Sequence, residues 1–392
     1  MAWPGFFIPA IAVTICNLVP TAPASPGLAS GGNLVNVITR KRGLAGLALV
    51  GAATLVLAGC AAAPEEETSA PEVDFTGCAV SDEGSWNDKS FNEAAYEGLT
   101  TAKDDLGIKT ADAESQTTED FAPNLDEMVA ANCDVIFAVG FNLIDAVNAA
   151  AVANPDSNFV TIDGFVADPA TTNLKAVQYS MNQSSYLAGY LAAGYSTTKV
   201  VGTYGGLQID AVTDFMSGFY YGAKAYEKDS GTPVKVLGWD PTAATPSGDF
   251  TDGFGDTEGA KSISAGQIAQ DADVLFPVAG GLFSASSEAI NESGKDVVFI
   301  GVDKDIAVTS PEYADQVLTS VEKRMTTAVY DIIKELVDGA AFDGKSYVGT
   351  LANEGTDLAD FGSFDDKIDA DLKTKLDEIK AGIIDGSIDP LA

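Results

Sequence analysis

The sequence predicts an α/β protein of two doubly wound parallel-sheet lobes with a ligand cleft between them. Two observations carry this. From about residue 77 onward, short apolar runs alternate with helical patterns, the layout of parallel strands joined by crossover helices. One βαβ unit also occurs twice. Asp134-Val-Ile-Phe-Ala-Val-Gly140 is echoed by Asp273-Val-Leu-Phe-Pro-Val-Ala279. Each copy runs into a helical pattern and then a second strand ending in Asp, Phe159-Val-Thr-Ile-Asp163 and Val298-Phe-Ile-Gly-Val-Asp303. The Asp-to-Asp spacing is 29 residues in the first copy and 30 in the second. The competing explanation is chance likeness between two buried strands.

In chain order, the strand candidates are 77–81, 135–139, 159–162, 176–179, 200–204, 234–239, 274–278, 297–302 and 317–321. Helical patterns fall near 90–106, 121–131, 142–153, 183–195, 212–228, 257–270, 284–293, 324–338 and 368–385. The expected division places residues 74–180 and 304–325 in the first lobe and residues 181–303 and 326–392 in the second.

Upstream of the lobes, Arg40-Lys41-Arg42 precedes 17 uncharged residues, Gly43 to Gly59, and the run closes as Leu57-Ala58-Gly59-Cys60. This is a basic n-region, an apolar h-region and small residues before a cut. Residues 37–59 therefore read as a lipoprotein signal peptide, because Cys60 after Leu-Ala-Gly resembles a bacterial lipobox, whose Cys is lipidated. A transmembrane helix is the alternative, and the run is short for a span of roughly 20 residues. Residues 1–36 read as an over-called start, since a signal peptide begins just before its cations. Pro4, Pro9 and Pro20 also break the apolar stretch that precedes them. Residues 60–73, small, acidic and Pro-containing, read as a flexible tether. The expected location is the extracytoplasmic face of a cell membrane, held by lipid on Cys60.

The chain carries 22 Lys+Arg against 57 Asp+Glu, a net charge of −35. Losing the three signal cations takes this to −38, a surface that repels nucleic acid. The absence of His removes Ser-His-Asp and Cys-His catalysis and His-ligated metals. Arg324 is the only Arg beyond the signal, so bidentate Arg capture of phosphate is confined to one place. The expected ligand is neutral or cationic, with no cofactor and no metal. With Cys60 lipidated, Cys78 and Cys133 remain as an even pair in an oxidising compartment. In a sheet of order 2-1-3 their strand starts lie side by side, so a Cys78–Cys133 disulfide is expected. Two buried free thiols are the alternative.

Ligands of open parallel sheets bind outside the carboxyl ends of the strands. Asp82, Asp163 and Asp303 follow strands there, and Asp145 lies just beyond another. Ionised carboxylates only accept hydrogen bonds, so such a cleft wants hydroxyls, amines or ring N–H groups. Any single Asp at such a position is more often a cap or turn residue. Phe91, Phe141, Phe165, Trp239, Phe250 and Phe254 lie in or near strand-to-helix connections, where rings can sandwich a flat ligand. Carboxylates with aromatics describe a nucleoside or sugar site.

The stretch Ser81-Asp-Glu-Gly-Ser-Trp-Asn-Asp-Lys-Ser-Phe-Asn-Glu-Ala-Ala-Tyr-Glu-Gly98 resembles the opening motif of the basic-membrane-protein family of lipoproteins, receptors for purine nucleosides that feed ABC importers. Further matches follow in order: Tyr186-Leu-Ala-Gly-Tyr-Leu-Ala192, Phe215-Met-Ser-Gly-Phe219, Ala279-Gly-Gly281, Gly301-Val-Asp303 and Leu318-Thr-Ser-Val-Glu-Lys-Arg324. Together they cover roughly residues 75–340. The resemblance implies a type I periplasmic-binding-protein fold. It gives Asp82 and Asn92 to the base, Phe91 to one face of it and Phe250 to the other. It also implies that Asp303 accepts ribose hydroxyls, Gly281 admits close backbone approach, Lys323 donates to the sugar, and Asp163 or Asp145 completes the polar shell. The segment 240–258 is longer than the family pattern.

The leading expectation is a monomeric, non-enzymatic nucleoside-binding lipoprotein partnered by an ABC transporter permease. A sugar-binding or signalling receptor of the same fold is the alternative. A surface adhesin with no transport role is a further one. A Ca²⁺-dependent nucleoside hydrolase needs clustered carboxylates, for which Asp82 and Asp88 are the nearest pair.

Overall fold

The structure is a computed structural model and describes residues 73–392. The signal peptide, Cys60, the upstream start and nearly all of the tether lie outside the described residues. Among the described residues, no helix is long and apolar enough to cross a membrane.

The chain runs β1 (Thr76–Ser81), α1 (Phe91–Leu106), β2 (Lys109–Ala113), α2 (Phe121–Ala130), β3 (Val135–Val139), α3 (Ile144–Ala153), β4 (Phe159–Ile162) and β5 (Leu174–Tyr179). It continues through α4 (Met181–Tyr195), β6 (Val200–Gly205), α5 (Asp210–Ser230), β7 (Lys235–Leu237), α6 (Thr257–Ala269), β8 (Val274–Val278), α7 (Phe283–Ser293) and β9 (Val298–Asp303). It ends with α8 (Ile306–Thr309), β10 (Val317–Lys323), α9 (Met325–Val337), β11 (Tyr347–Gly349), β12 (Thr356–Leu358) and α10 (Ala370–Ile384).

Two six-stranded sheets result, ordered β11-β5-β4-β3-β1-β2 and β12-β10-β9-β8-β6-β7. Pairings within the first sheet are parallel throughout. The second differs only at β12, which runs antiparallel to β10. Central strands such as β3, β4 and β8 are buried at every position. That is why they read as near-continuous apolar runs, Thr161 of β4 excepted, rather than alternating ones. The repeated unit of the sequence is β3-α3-β4 in one lobe and β8-α7-β9 in the other, at equivalent positions in the two sheets.

The unread strands have a physical reason. Lys109–Ala113 is an edge strand with no buried residue, and β11 and β12 have three residues each. Apolar periodicity cannot register either kind. The run expected at 234–239 shortens to Lys235–Leu237 because Gly238 turns the chain at φ +82°.

The lobe boundaries need correcting. The expected assignment of 304–325 to the first lobe fails, because β10 pairs with β9 inside the second sheet. Likewise 326–392 is divided rather than kept whole. α9 packs on α1 of the first lobe, where the Thr326 hydroxyl donates to the Ala94 carbonyl at 2.8 Å. β11 extends the first sheet. β12 then returns to the second, and α10 covers α4 there. Three crossovers therefore link the lobes, at 179–181, 323–325 and 349–356. They are tied to one another: Ser180 N–H donates to the Gly349 carbonyl (2.8 Å) and Arg324 N–H to the Gly355 carbonyl (3.0 Å). A helical pattern shows which face of α9 is buried but not which sheet it covers, so this crossover was not readable.

In the second lobe α4 and α5 meet backbone to backbone. A Cβ on Gly189 would sit 2.0 Å from the Phe219 carbonyl oxygen, and one on Gly222 would sit 1.9 Å from that of Tyr186. With Gly218, where a Cβ would sit 2.3 Å from the Asn182 carbonyl oxygen, these glycines set the helix spacing.

A disulfide joins Cys78 on β1 to Cys133 ahead of β3, with Cα atoms 6.0 Å apart. Both residues are buried in the core of the first lobe. Closing a loop 55 residues long restrains the unfolded chain by about 2–4 kcal/mol. Cys78→Ala/Cys133→Ala should therefore lower the melting temperature by several degrees while leaving ligand affinity within about twofold, because the bridge lies at the strand starts, away from the cleft. Calorimetry with a parallel binding titration checks both.

Candidate ligand-binding cleft

The carboxyl ends of β1, β3 and β4 face those of β6, β8 and β9 across a cleft with a volume of about 490 Å³, within the ordinary range for small-molecule sites. Six carboxylates line it: Asp82, Glu83, Asp88, Asp163, Asp252 and Asp303. Among the described residues lining it, Lys323 is the one cation.

One end of the cleft is built from the loop after β1 and the start of α1. The Asn92 amide nitrogen donates to Asp82 Oδ1 (2.9 Å) and to the Gly84 carbonyl (3.3 Å). Asn92 Oδ1 is buried and has no hydrogen-bond partner. Asp82 Oδ1 also accepts from Gly84 N–H at 3.1 Å. This end of the site places the Asp82 carboxylate in the cleft lining, while Asn92 Oδ1 is itself covered. Asp88 lies two residues before Ser90, the N-cap of α1, and its side chain serves the start of that helix. Its carboxylate accepts from the backbone N–H groups of Ser90, Asn92 and Glu93 (2.9, 2.9 and 3.0 Å), satisfying orphan donors at the start of α1. The same carboxylate also faces the cleft, a double role that local sequence does not signal. Burial raises the acidities' midpoints: the Asp82 and Asp88 carboxyls are both pushed above the ordinary carboxylate range, chiefly by desolvation.

The other end joins the two lobes. Lys323 Nζ, at the end of β10, lies 2.5 Å from Asp163 Oδ2, at the end of β4. The Lys323 side chain is 3% exposed, and its ammonium sits 5.1–5.7 Å from the ring centres of Phe91, Phe215 and Tyr179. Such contacts contribute up to about 2 kcal/mol when desolvated. Asp303 accepts from the Ser90 hydroxyl at 2.5 Å, again across the lobes. Asp163 (φ +59°) and Asp303 (φ +69°) share a left-handed backbone. Asp tolerates this conformation better than most residues, and it is enriched where a site needs an unusual side-chain direction. The repeat of the sequence is thus a repeat of conformation as well. Gly281 closes the seam: a Cβ there would lie 2.4 Å from the Asp88 carbonyl oxygen of the facing lobe.

Of the site residues read from sequence, Asp82, Phe91, Asn92, Asp163, Gly281, Asp303 and Lys323 all line the cleft. Asp145 and Phe250 do not. A 3₁₀ turn at Phe141–Leu143 precedes α3 and carries Asp145 to an exposed position in its first turn, where a carboxylate complements the helix dipole. Phe250 lies beside the end of β6 and packs on the core of the second lobe. Gly205 pairs with it in an isolated bridge, and its ring meets Trp239 edge-on at 5.9 Å. The long segment 240–258 runs parallel to the end of β6 through Gly205 N–H to Asp249 O, Thr251 N–H to Gly205 O and Gly253 N–H to Gly206 O. It thereby delivers Phe254 to the cleft in place of Phe250. Phe141 and Phe215 also line the cleft. Phe215 went unread as a site residue because a Phe inside a helical pattern looks like core. Arg324 is at the crossover instead, with its guanidinium on Glu322 (3.0 Å) and the Glu354 carbonyl (3.1 Å).

No group of three or more His, Cys, Asp or Glu among the described residues is arranged to hold a metal ion. Two lobes, three crossovers and a seam lined by acceptors and rings define a solute-binding protein. Residues 75–384 match the family described as ABC transporter substrate-binding protein PnrA-like, Bmp, and the chain belongs to it. The chain is 31% identical over 366 residues to the ABC transporter nucleoside-binding protein BmpA of Lactococcus lactis subsp. cremoris, covering 89% of this chain and 98% of that one. It is 27% identical over 307 residues to basic membrane protein A of Borreliella burgdorferi, covering 78% and 85%. Its fold resembles that of an ABC transporter solute-binding protein from Aeropyrum pernix K1, with a TM-score of 0.71 at 23% identity, covering 80% and 92%.

Burial pushes the Asp303 carboxyl up to about 6, against a partial pull downward from Lys323. An unfolded Asp titrates near about 3.9, so the native state holds a proton through that window which the unfolded chain has lost. This group's stabilisation is full below about pH 4 and is lost as pH rises through about 6. Net negative charge acts in the same direction, so the diagnostic is a difference. Without added ligand, Asp303→Asn should flatten the fall in melting temperature between pH 4 and 6.5. An unchanged slope would place the titration elsewhere.

Proposed function

We propose that the cleft takes a purine nucleoside and that the protein, lipid-anchored through Cys60 on the extracytoplasmic face, hands it to an ABC importer's permease. The observation that carries this reading is the acceptor pair beside a ring. Asn92 Oδ1 is buried without a partner next to the Asp82 carboxylate, with Phe91 in the same lining. An unpaired buried acceptor costs about 1–3 kcal/mol, so a ring N–H that Asn92 Oδ1 meets as the side chain shifts onto the ligand gains beside the Asp82 carboxylate. Guanine and hypoxanthine offer a ring N–H where adenine offers an acceptor. At the other end, Asp303 and Asp163 accept hydroxyls and Lys323 donates, which suits a ribose. Phosphate is disfavoured by six carboxylates around a single ammonium that is already paired with Asp163. The name of the Lactococcus relative points the same way. Transport would follow from lobe closure around the ligand, with a monomer sufficient for the task.

A titration panel tests this. Guanosine and inosine should bind more tightly than adenosine, free ribose at least 100-fold more weakly, and guanosine monophosphate not measurably. Asp82→Asn should weaken guanosine about 10–100-fold, the equivalent of losing a charge-assisted hydrogen bond. Ribose binding as tightly as inosine would favour a sugar receptor. Release of free hypoxanthine from inosine would mean a hydrolase.

A further inference from the structure

Asp303 and Lys304 are consecutive, yet they contact the first lobe at different places. Asp303 faces the cleft and accepts from Ser90. Lys304 reaches past the seam to α1, where its ammonium lies 2.7 Å from Glu93 Oε1 and 3.0 Å from Glu97 Oε2. Glu93 and Glu97 are one turn apart on the same helix face, a spacing at which two carboxylates repel. Lys304 relieves that repulsion. Its side chain is 12% exposed, and those of the two glutamates are 31% and 49% exposed. None of the three lines the cleft. Lys89 and Glu312 also pair across the seam at 3.0 Å, but both are half-exposed, a setting in which ion pairs are weak.

The charge balance makes this cation matter. Both lobes belong to a chain of net charge −35, and like-charged bodies repel as they approach. At the seam the first lobe presents its α1 carboxylates, and Lys304 is the group of the second lobe that meets them. We propose that Lys304 is a positioning residue for capture: an electrostatic clasp that draws α1 onto the strand end carrying Asp303 and Ser90's bond to it, and so sets the closed fraction without touching the ligand. This rests on the reading that the cleft binds by lobe closure, not on which ligand fills it.

The signature follows from population arithmetic. Apparent affinity scales with the fraction of molecules in the competent state. A clasp variant therefore weakens every ligand by one common factor, mainly by faster release, and leaves selectivity ratios unchanged. A residue that contacts ligand changes those ratios.

The test uses the full chain in mild detergent with guanosine and inosine as probes. Lys304→Met should raise both dissociation constants by about tenfold, with the larger part in the off-rate, and Lys304→Glu should raise them further. Reversing the clasp with Lys304→Glu/Glu93→Lys/Glu97→Lys should restore both. Hydrogen–deuterium exchange without added nucleoside supplies the ligand-independent arm. Peptides spanning 82–97 and 300–306 should exchange faster in Lys304→Glu and recover in the reversed variant, with β3 and β8 unchanged. Wild-type affinities and wild-type seam exchange in Lys304→Glu would overturn the proposal, as would a loss that reversal does not restore. If wild type binds neither nucleoside, the proposed ligand falls while the exchange arm still decides the clasp.

Discussion

The cleft is organised around one ammonium. Lys323 is buried, carried by the second lobe and held by Asp163 of the first at 2.5 Å. Every other charge lining the cleft is negative. Burying carboxylates without compensation costs several kcal/mol per ion, so the wall of acids depends on this contact. The rings of Phe91, Phe215 and Tyr179 surround the same ammonium, which ties the aromatic half of the site to the polar half. Because Lys323 is the last residue of β10, its position also fixes the crossover that follows. The site and the hinge therefore share a single strand end.

That arrangement separates three jobs that an acidic solute-binding protein has to reconcile. On the proposed reading, recognition falls to acceptors among the cleft-lining residues Asp82, Asn92, Asp163 and Asp303. Charge balance falls to Lys323. The remaining strong cation near the site, Arg324, is spent on the crossover through Glu322 and the Glu354 carbonyl, which keeps it away from ligands. A guanidinium in the cleft would make a phosphate-binding fork. The bonds of Arg324 to Glu322 and the Glu354 carbonyl instead brace the link between the lobes. Membership of the PnrA-like substrate-binding family fits this division of labour, since such proteins must hold a solute and then release it on opening.

Much of this was legible in the sequence, for identifiable reasons. The βαβ repeat exposed both lobes because central parallel strands are buried on both faces and cannot hide as polar segments. It also singled out Asp163 and Asp303, which share a strand end and a left-handed backbone. The failures have physical causes too. Asp145 and Asp163 were equivalent as letters, and a single 3₁₀ turn after β3 sent one outward. Phe250 and Phe254 lie four residues apart in a segment whose path is set by backbone pairing with Gly205 and Gly206, which no side-chain pattern reports. The lobe boundary was misplaced because β10 is an ordinary buried strand by composition. Its partner, β9, is fixed only by topology.

Native mass spectrometry of the gently purified full chain decides the question of the ligand, by identifying what the acidic cleft retains through purification. The expected result is a single small adduct whose released mass is that of a neutral purine nucleoside, with guanosine or inosine foremost. A carried hexose or a phosphorylated compound would contradict the account. So would an empty protein whose melting temperature ignores nucleosides at concentrations far above any useful affinity.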